Sequence, residues 1–250
     1  MTNKKRPVLK SGIYYHLYQR SFNKDDIFLS AADAILFITI FRKYSLLYNI
    51  NTLAFCLMDN HIHALCKADK ADRLSDFVRD STSVYVREYN KYHKRKGKMF
   101  QVPFGCAPKK GSKSVRTCIT YINNNPVEAK KVDYMEDYVW NLFAYATTSY
   151  PFSKKLILKT ASYHLRRAIA EIKAYSDKHA IISPVLWNNL HERLTKEETK
   201  QLRDYLLKSY SPVDYNQIAA IFGSISNAIS AMHSFMGSEY EIKTDDVRPR

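Results

Sequence analysis

The chain has 250 residues, and its 46% of hydrophobic residues indicates a packed core and excludes global disorder. Its formal net charge of +15 indicates an anionic partner, of which nucleic acid is the most common. No apolar run reaches the length of a membrane span, and the basic N-terminus lacks the apolar stretch of a signal peptide, so we expect a cytoplasmic protein without a membrane partner.

The four cysteines are spread along the first half of the chain. They show no C-x-x-C pairing, so neither a zinc ribbon nor a disulfide framework is supported. We therefore expect reduced thiols in the core at Cys56, Cys66, Cys106 and Cys118.

The chain opens with a predicted alternation of strands and helices. The aromatic stretch "IYYHLYQR" after Gly12 predicts a strand, "NKDD" predicts a turn, and Ser30 can cap a helix that contains "AADAILFITIFRKYSLLYN". "INTLAFCLM" and "HIHALCK" then predict two strands that pair through the turn "DN".

Three further elements follow. "RLSDFVRDSTSVYVREYNKYHKRKG" has the amphipathic spacing of a helix, which we expect Gly97 to end. "MFQVPFGCA" predicts a short strand, and the next helix begins at Ser112 and stops at Pro126. The order β-α-β-β-α-β-α predicts an α+β fold with helices packed on one face of a mostly antiparallel sheet.

After "PFS" at 151–153 the pattern becomes wholly helical, which divides the chain into a domain of residues 1–150 and a small all-α C-terminal region of residues 151–250. Within residues 212–236, Ala219, Gly223 and Ile229 occupy the small, turn-glycine and apolar positions of a helix-turn-helix. The second helix of this segment carries no Lys or Arg, so a helical hairpin that does not read DNA fits as well.

Basic residues are concentrated in the first domain. Residues 1–150 contain 24 Lys and Arg against 13 Asp and Glu, whereas residues 151–250 contain 15 against 11. Between Tyr89 and Val127 there is no acidic residue, and aromatic rings lie among the basic side chains. This composition suits a phosphate backbone whose bases stack on rings. The predicted DNA-binding residues are Lys91, Lys94, Arg95, Lys96, Lys98, Lys109, Lys110, Lys113 and Arg116.

The segment "MDNHIHALC" places two histidines in a predicted strand. Because side chains alternate along a strand, His61 and His63 point to one face, where two imidazoles can hold a divalent metal ion. Two satisfied core histidines would give the same pattern. On the later helix, Tyr121 and Asn125 are four residues apart and share a face, but spacing does not distinguish Tyr121 from a core aromatic among 19 tyrosines.

Four segments in this order, "CLMDNHIHALC", "YVREYNKYHKRKGKMFQVPF", "TYINNNPVEAKKV" and "YVWNLFAYATTSY", resemble the single-tyrosine HUH transposases of bacterial insertion sequences, also described as IS200-like. The REP-associated tyrosine transposases are the branch that the chain resembles most, over about residues 8–150. The resemblance implies the HUH, or ferredoxin-like, palm as the fold. One departure is Asp59, where the family usually has proline, and it adds a negative charge beside the histidine pair.

The resemblance also implies a mechanism, in which Tyr121 attacks a phosphate of single-stranded DNA, forms a covalent 5′-phosphotyrosine and frees a 3′-OH. His61 and His63, together with Asn125 by its position, would hold Mg2+ or Mn2+. His16 and Arg20 on the first strand are expected neighbours of this site. The resemblance implies that the DNA partner often carries a hairpin and that the protein acts in the bacterial cytoplasm near the nucleoid. It leaves open whether the protein forms a homodimer.

Two other functions stay open at this point. A domesticated protein on the same scaffold would bind DNA or RNA hairpins without cleaving them, although the presence of His61, His63 and Tyr121 together favours an enzyme. A zinc hydrolase would need a third strong ligand and a general base such as the glutamate of H-E-x-x-H, and the sequence offers neither clearly.

Overall fold

The computed structural model describes residues 9–101, 104–146, 161–179 and 181–235. Four strands in these residues form one sheet, in which every neighbouring pair is antiparallel and the strand order is β2-β3-β1-β4. The strands are β1 (Tyr14–Arg20), β2 (Ile50–Met58), β3 (His61–Ala68) and β4 (Gly105–Lys109). The predicted domain boundary at residues 150/151 and the end of the "YATTSY" motif lie outside the described residues.

Eight α-helices accompany the sheet in the described residues. They are α1 (Ala31–Leu47), α2 (Ala71–Tyr92), α3 (Gly111–Glu128), α4 (Tyr163–His179), α5 (Pro184–His191), α6 (Lys196–Tyr210), α7 (Tyr215–Phe222) and α8 (Ile225–His233). The predicted order β-α-β-β-α-β-α is confirmed, and so is the cap of α1, where the Asp33 amide donates to Ser30 Oγ at 3.3 Å. None of the helices in this part of the chain is long and apolar enough to span a membrane.

Three predicted element boundaries are wrong. Helix α2 ends at Tyr92, well before Gly97, because Lys94 already has a left-handed backbone with φ of 51°. Pro126 does not stop α3, which continues to Glu128, since a proline in the last turn removes only one backbone hydrogen bond of the helix.

The fourth strand is also displaced along the sequence. "MFQVPFGCA" predicts a strand that begins at Met99, whereas β4 begins at Gly105, and Phe100 makes only an isolated bridge with Ser21. Met99 and Phe100 are buried in the core. The apolar residues at the start of this segment therefore indicated burial in the core rather than a position in the sheet.

Helices cover both faces of the sheet, so the prediction of helices on one face is wrong in this respect. Helices α1 and α2 pack on the face that carries Phe55, Leu57 and Ile62. Helices α3, α7 and α8 pack on the opposite face, with Cys56 and Leu65. Strand β2 is buried along nearly its whole length, and a strand buried on both faces needs cover on both.

The C-terminal helices pack against the first part of the chain. Helices α4, α5 and α6 share a hydrophobic cluster with Ala32 and Ile35 of α1. Helices α7 and α8 join through Gly223, the predicted turn glycine, whose φ is 85°, and their residues Ile218 and Met232 are buried against α3. A pair of helices joined by a glycine turn is thus present. Recognition of DNA by this pair stays a prediction.

All four cysteines are free and buried, as predicted. Burial raises the pKa of the Cys66 thiol to about 12 and that of Cys56 higher still. These thiols are protonated at neutral pH and act as core residues.

Candidate active site beneath helix α3

The histidine pair lies on the α3 face of the sheet. In the register of β3 with β1, His63 is opposite Tyr18 and His61 is opposite Arg20. The two imidazole centroids are 4.9 Å apart, and the ring planes are nearly perpendicular at 88°. The alternation of side chains along β3 therefore brings both rings together, as the sequence predicts.

Each imidazole of the pair has a hydrogen-bonding partner on its Nδ1 atom. His61 Nδ1 lies 2.7 Å from Asn60 Oδ1, and since that oxygen only accepts, Nδ1 carries the proton and Nε2 the lone pair. His63 Nδ1 lies 2.9 Å from Nε2 of His16. His16 is therefore a direct neighbour of the pair, as expected, whereas the role of Asn60 was missed, although it precedes the histidine motif directly.

The three imidazoles are neutral at physiological pH. Burial lowers the pKa of His16 to about 3 and that of His61 to about 4. The pKa of His63 is also well below its usual value, because the ring is buried and lies beside the other two histidines. Arg20, the other expected neighbour, lowers the pKa of His61 further through its charge. Neutral imidazoles offer lone pairs, which is the form that binds a metal ion.

Helix α3 places Tyr121 over the histidines. Its ring centroid is 5.8 Å from that of His63 and 5.7 Å from that of His16. The residue is only 8% exposed, and burial raises the pKa of its phenol, while a hydrogen bond with the Asn125 side chain acts in the opposite direction. Tyr121 is therefore a protonated phenol at neutral pH, and any nucleophilic role requires loss of that proton.

Asn125 lies one turn beyond Tyr121 on the same helix. Its Nδ2 donates to the backbone carbonyl of Tyr121 at 3.1 Å, so its amide oxygen is the atom that it could offer to a metal ion. In the described residues no group of three or more His, Cys, Asp and Glu side chains is placed to hold a metal. A metal at this site would have two imidazole ligands, an amide oxygen and oxygens of substrate or water, which is an open set unlike the four closed protein ligands of structural zinc.

Asp59, the departure from the family pattern, lies in the turn between β2 and β3. Its carboxylate forms an ion pair with Lys131, which follows the end of α3. This contact places a cation against the added negative charge and joins the turn before the histidines to the end of the tyrosine helix. Lys131 had no signal in the sequence beyond its place in the "EAKKV" segment.

The predicted basic residues form two clusters rather than one. The residues in the last turn of α2 and after it lie near the His61 end of the sheet, because the backbone amide of Gln101 donates to the Arg20 carbonyl and that of Phe22 donates to the Met99 carbonyl. The second group lies at the other end, since Lys109 is opposite Tyr14 in β1. We call them the proximal basic cluster (Lys91, Lys94, Arg95, Lys96 and Lys98) and the distal basic cluster (Lys109, Lys110 and Lys113).

Arg116 differs from the other predicted DNA-binding residues in its contacts. Its Nη2 donates to the backbone carbonyl of Ile221, and its guanidinium lies 5.7 Å from the centroid of the Phe222 ring. These contacts join α3 to the end of α7. In this structure Arg116 therefore holds the C-terminal helices against the tyrosine helix.

Sequence comparison shows a similarity in the first half of the chain. Residues 9–125 match the profile of a family described as "Transposase IS200 like". The resemblance predicted from the motifs is thereby confirmed. No curated protein sequence matches the chain.

Among solved structures, the fold is similar to that of a REP-associated tyrosine transposase, which was solved bound to a REP hairpin. The TM-score is 0.50 at 17% sequence identity, and the match covers 57% of this chain and 84% of the other. At this identity the likeness establishes the fold, and the predicted fold class is confirmed.

The lowered pKa values predict how stability depends on pH. In the unfolded chain histidines bind a proton near pH 6.5, but folded His16 does so only near pH 3, so the unfolding free energy falls as the pH drops below about 6.5. His16 alone accounts for about 2 kcal/mol between about pH 6.5 and about pH 5. Urea denaturation at both pH values should show a smaller loss in His16→Gln than in the unchanged protein. Equal losses would contradict the assignment of a buried, neutral His16.

Proposed function

We propose that this protein is a transposase that cleaves and rejoins single-stranded DNA through a covalent bond to Tyr121. The observation that carries the proposal is the position of the Tyr121 ring, 5.8 Å from His63 and on the same face of the sheet as both histidines of the H-x-H motif. The match of residues 9–125 to the IS200-like transposases supports it.

In the proposed first step, the Tyr121 oxygen attacks phosphorus and the bond from phosphorus to the 3′ oxygen of the preceding nucleotide breaks. The products are a 5′-phosphotyrosine and a free 3′-OH, and the phenol proton balances the alkoxide that leaves. A second 3′-OH reverses the step on a new strand and returns a proton to Tyr121. The phosphodiester bond of the DNA is exchanged for a phosphotyrosine bond and then for a new phosphodiester bond. The bond energy is conserved in these exchanges, so the reaction needs no nucleoside triphosphate.

The residues that would hold a divalent ion are His61 and His63, through their Nε2 atoms, and Asn125 through its amide oxygen. Such an ion, Mg2+ or Mn2+, would polarise the scissile phosphate and stabilise the charge that develops on it. His16 acts on His63: when His63 Nδ1–H donates to His16 Nε2, the other nitrogen of His63 carries the lone pair. In that arrangement His16 would hold His63 in the tautomer that can bind a metal through Nε2.

We propose that Tyr121 acts on DNA bound in the site of its own subunit. Tyr121, His16 and His63 of one chain already lie with ring centroids within 5.8 Å of each other. A homodimer is therefore not needed to complete the site, although it stays compatible with it.

The DNA path follows from the charges around the site. The proximal basic cluster lies at the His61 end of the sheet and would hold the backbone that leads to Tyr121. A hairpin next to the cleaved strand is proposed because the structurally similar REP-associated transposase was solved bound to one. Residues 1–150 would carry the chemistry, while helices α4 to α8 support α1 and α3.

A protein that binds DNA or RNA hairpins without cleaving them is the alternative, and one observation favours it. Tyr121 is nearly buried and its pKa is raised, so without an activating ion it is a poor nucleophile. The two functions differ in whether a covalent bond to DNA forms.

Removal of the Tyr121 hydroxyl should abolish the covalent product. Single-stranded oligonucleotides from the DNA that flanks the gene, incubated with Mn2+ or Mg2+, should give a protein–DNA band on a denaturing gel. The band should disappear in Tyr121→Phe and His61→Ala and persist in Tyr134→Phe, whose ring is 62% exposed and outside the site. A band of equal strength in Tyr121→Phe would exclude Tyr121 as the nucleophile, and DNA binding without any band would favour the hairpin-binding alternative.

The contact between His16 and His63 should be visible in metal binding itself. We expect His16→Ala to weaken Mn2+ binding by about 10- to 100-fold, because His63 loses the partner that orients its ring. His16→Gln should retain most of the affinity, since its amide oxygen can accept from His63 Nδ1–H. Isothermal titration with Mn2+ in the absence of DNA measures this directly. Identical affinities in the three proteins would show that His16 has no role toward the ion.

A further inference from the structure

A cavity of about 330 Å3 lies on the α1 face of the molecule, between the start of α1 and helices α5 and α6. This volume falls within the range of sites that bind small molecules or single groups of larger ligands. The cavity is separate from the Tyr121 site, which lies on the opposite face of the sheet. No residue predicted to bind DNA or metal contributes to its lining.

The side chains around this cavity are suited to a nucleotide. Lys196, Lys200, Arg203 and His191 line it, and no aspartate or glutamate does so in the described part of the chain. His191 contributes an exposed aromatic ring, whereas Trp187 lines the cavity but is only 4% exposed. Ammonium and guanidinium groups bind phosphate, and the bases of single strands pack on aromatic rings.

The cavity lies beside the proximal basic cluster. Its lining residue Asn188 donates through Nδ2 to the hydroxyl of Tyr92, which is the last residue of α2. His93, which follows, has its Nε2 atom 2.7 Å from Oδ1 of the buried Asp33 in α1. Two exposed lysines of the cluster, Lys91 and Lys94, flank Tyr92 and His93. A strand that follows the cluster can therefore continue to the cavity.

We propose that this cavity is an accessory binding site for one nucleotide of the DNA strand. Lys196 and Lys200 contact the phosphate, and the exposed ring of His191 contacts the base. The proposal rests on the proposed function, because the same strand would pass along the proximal basic cluster to Tyr121. It gives the C-terminal helices a direct part in DNA binding.

The test compares two double variants with the same change in charge. In Lys196→Ala/Lys200→Ala the cavity loses two exposed ammonium groups, whereas Lys70→Ala/Lys173→Ala removes two exposed lysines that do not line it. Arg203 is left in place, since its guanidinium lies 3.0 Å from the buried Asp204 carboxylate, and its removal would leave that carboxylate unpaired.

Fluorescence anisotropy at several salt concentrations measures the affinity of each protein for a long single-stranded oligonucleotide. The cavity variant should bind about tenfold more weakly, and the magnitude of its salt slope should fall by about 0.7, the share of one neutralised phosphate. The control variant should keep the affinity and slope of the unchanged protein. A cavity variant that matches the control would overturn the proposal.

The covalent assay separates this proposal from the proposed function. On a short oligonucleotide that spans only the cleavage point, the cavity variant should form the Tyr121 band as strongly as the unchanged protein. If the unchanged protein forms no band, the proposed function fails. If it forms the band and the two double variants bind the long strand equally, the accessory site alone fails.

Discussion

The antiparallel register of β1 with β3 is the constraint on which the site depends. It places Tyr18 opposite His63 and Arg20 opposite His61, and it brings Nε2 of His16 within 2.9 Å of His63 Nδ1. A slip of one residue would turn the histidines of β3 toward α1 and α2, where Ile62 now packs. The register is thus a requirement of the hydrophobic core and of the proposed chemistry at once.

The second requirement is the position of α3, which the rest of the chain secures from several sides. Its buried residues pack on β2 and β3, and α7 and α8 cover it from outside, where Asn124 Nδ2 donates to the Met232 carbonyl at 3.0 Å. At its ends, Arg116 contacts α7 and the turn residue Asp59 pairs with Lys131. These contacts explain how a helix can hold a tyrosine over two histidines, and they make the C-terminal region part of the site's support.

Much of this arrangement follows from the sequence because its signals are local. Alternation along "HIHALCK" predicts that His61 and His63 share a face, and the four-residue spacing of Tyr121 and Asn125 predicts a shared helix face. What the sequence could not indicate depends on contacts between distant residues. Lys131 pairs with Asp59, and Arg116 donates a hydrogen bond to the end of α7. The basic run is also separated into two clusters. All three features follow from the path of the chain in space. Likewise, α2 ends before the left-handed backbone of Lys94, whereas the sequence led us to expect Gly97 to end it.

The central claim is that Tyr121 is the residue that becomes joined to DNA, and mass spectrometry of the trapped complex tests it most directly. Cleavage after Arg116 and Lys130 by trypsin releases a peptide of residues 117–130 that contains Tyr121 and no other tyrosine. After digestion of the DNA, the account predicts that this peptide carries the mass of the remaining nucleotide. An adduct on any other peptide, with residues 117–130 recovered unmodified, would contradict it.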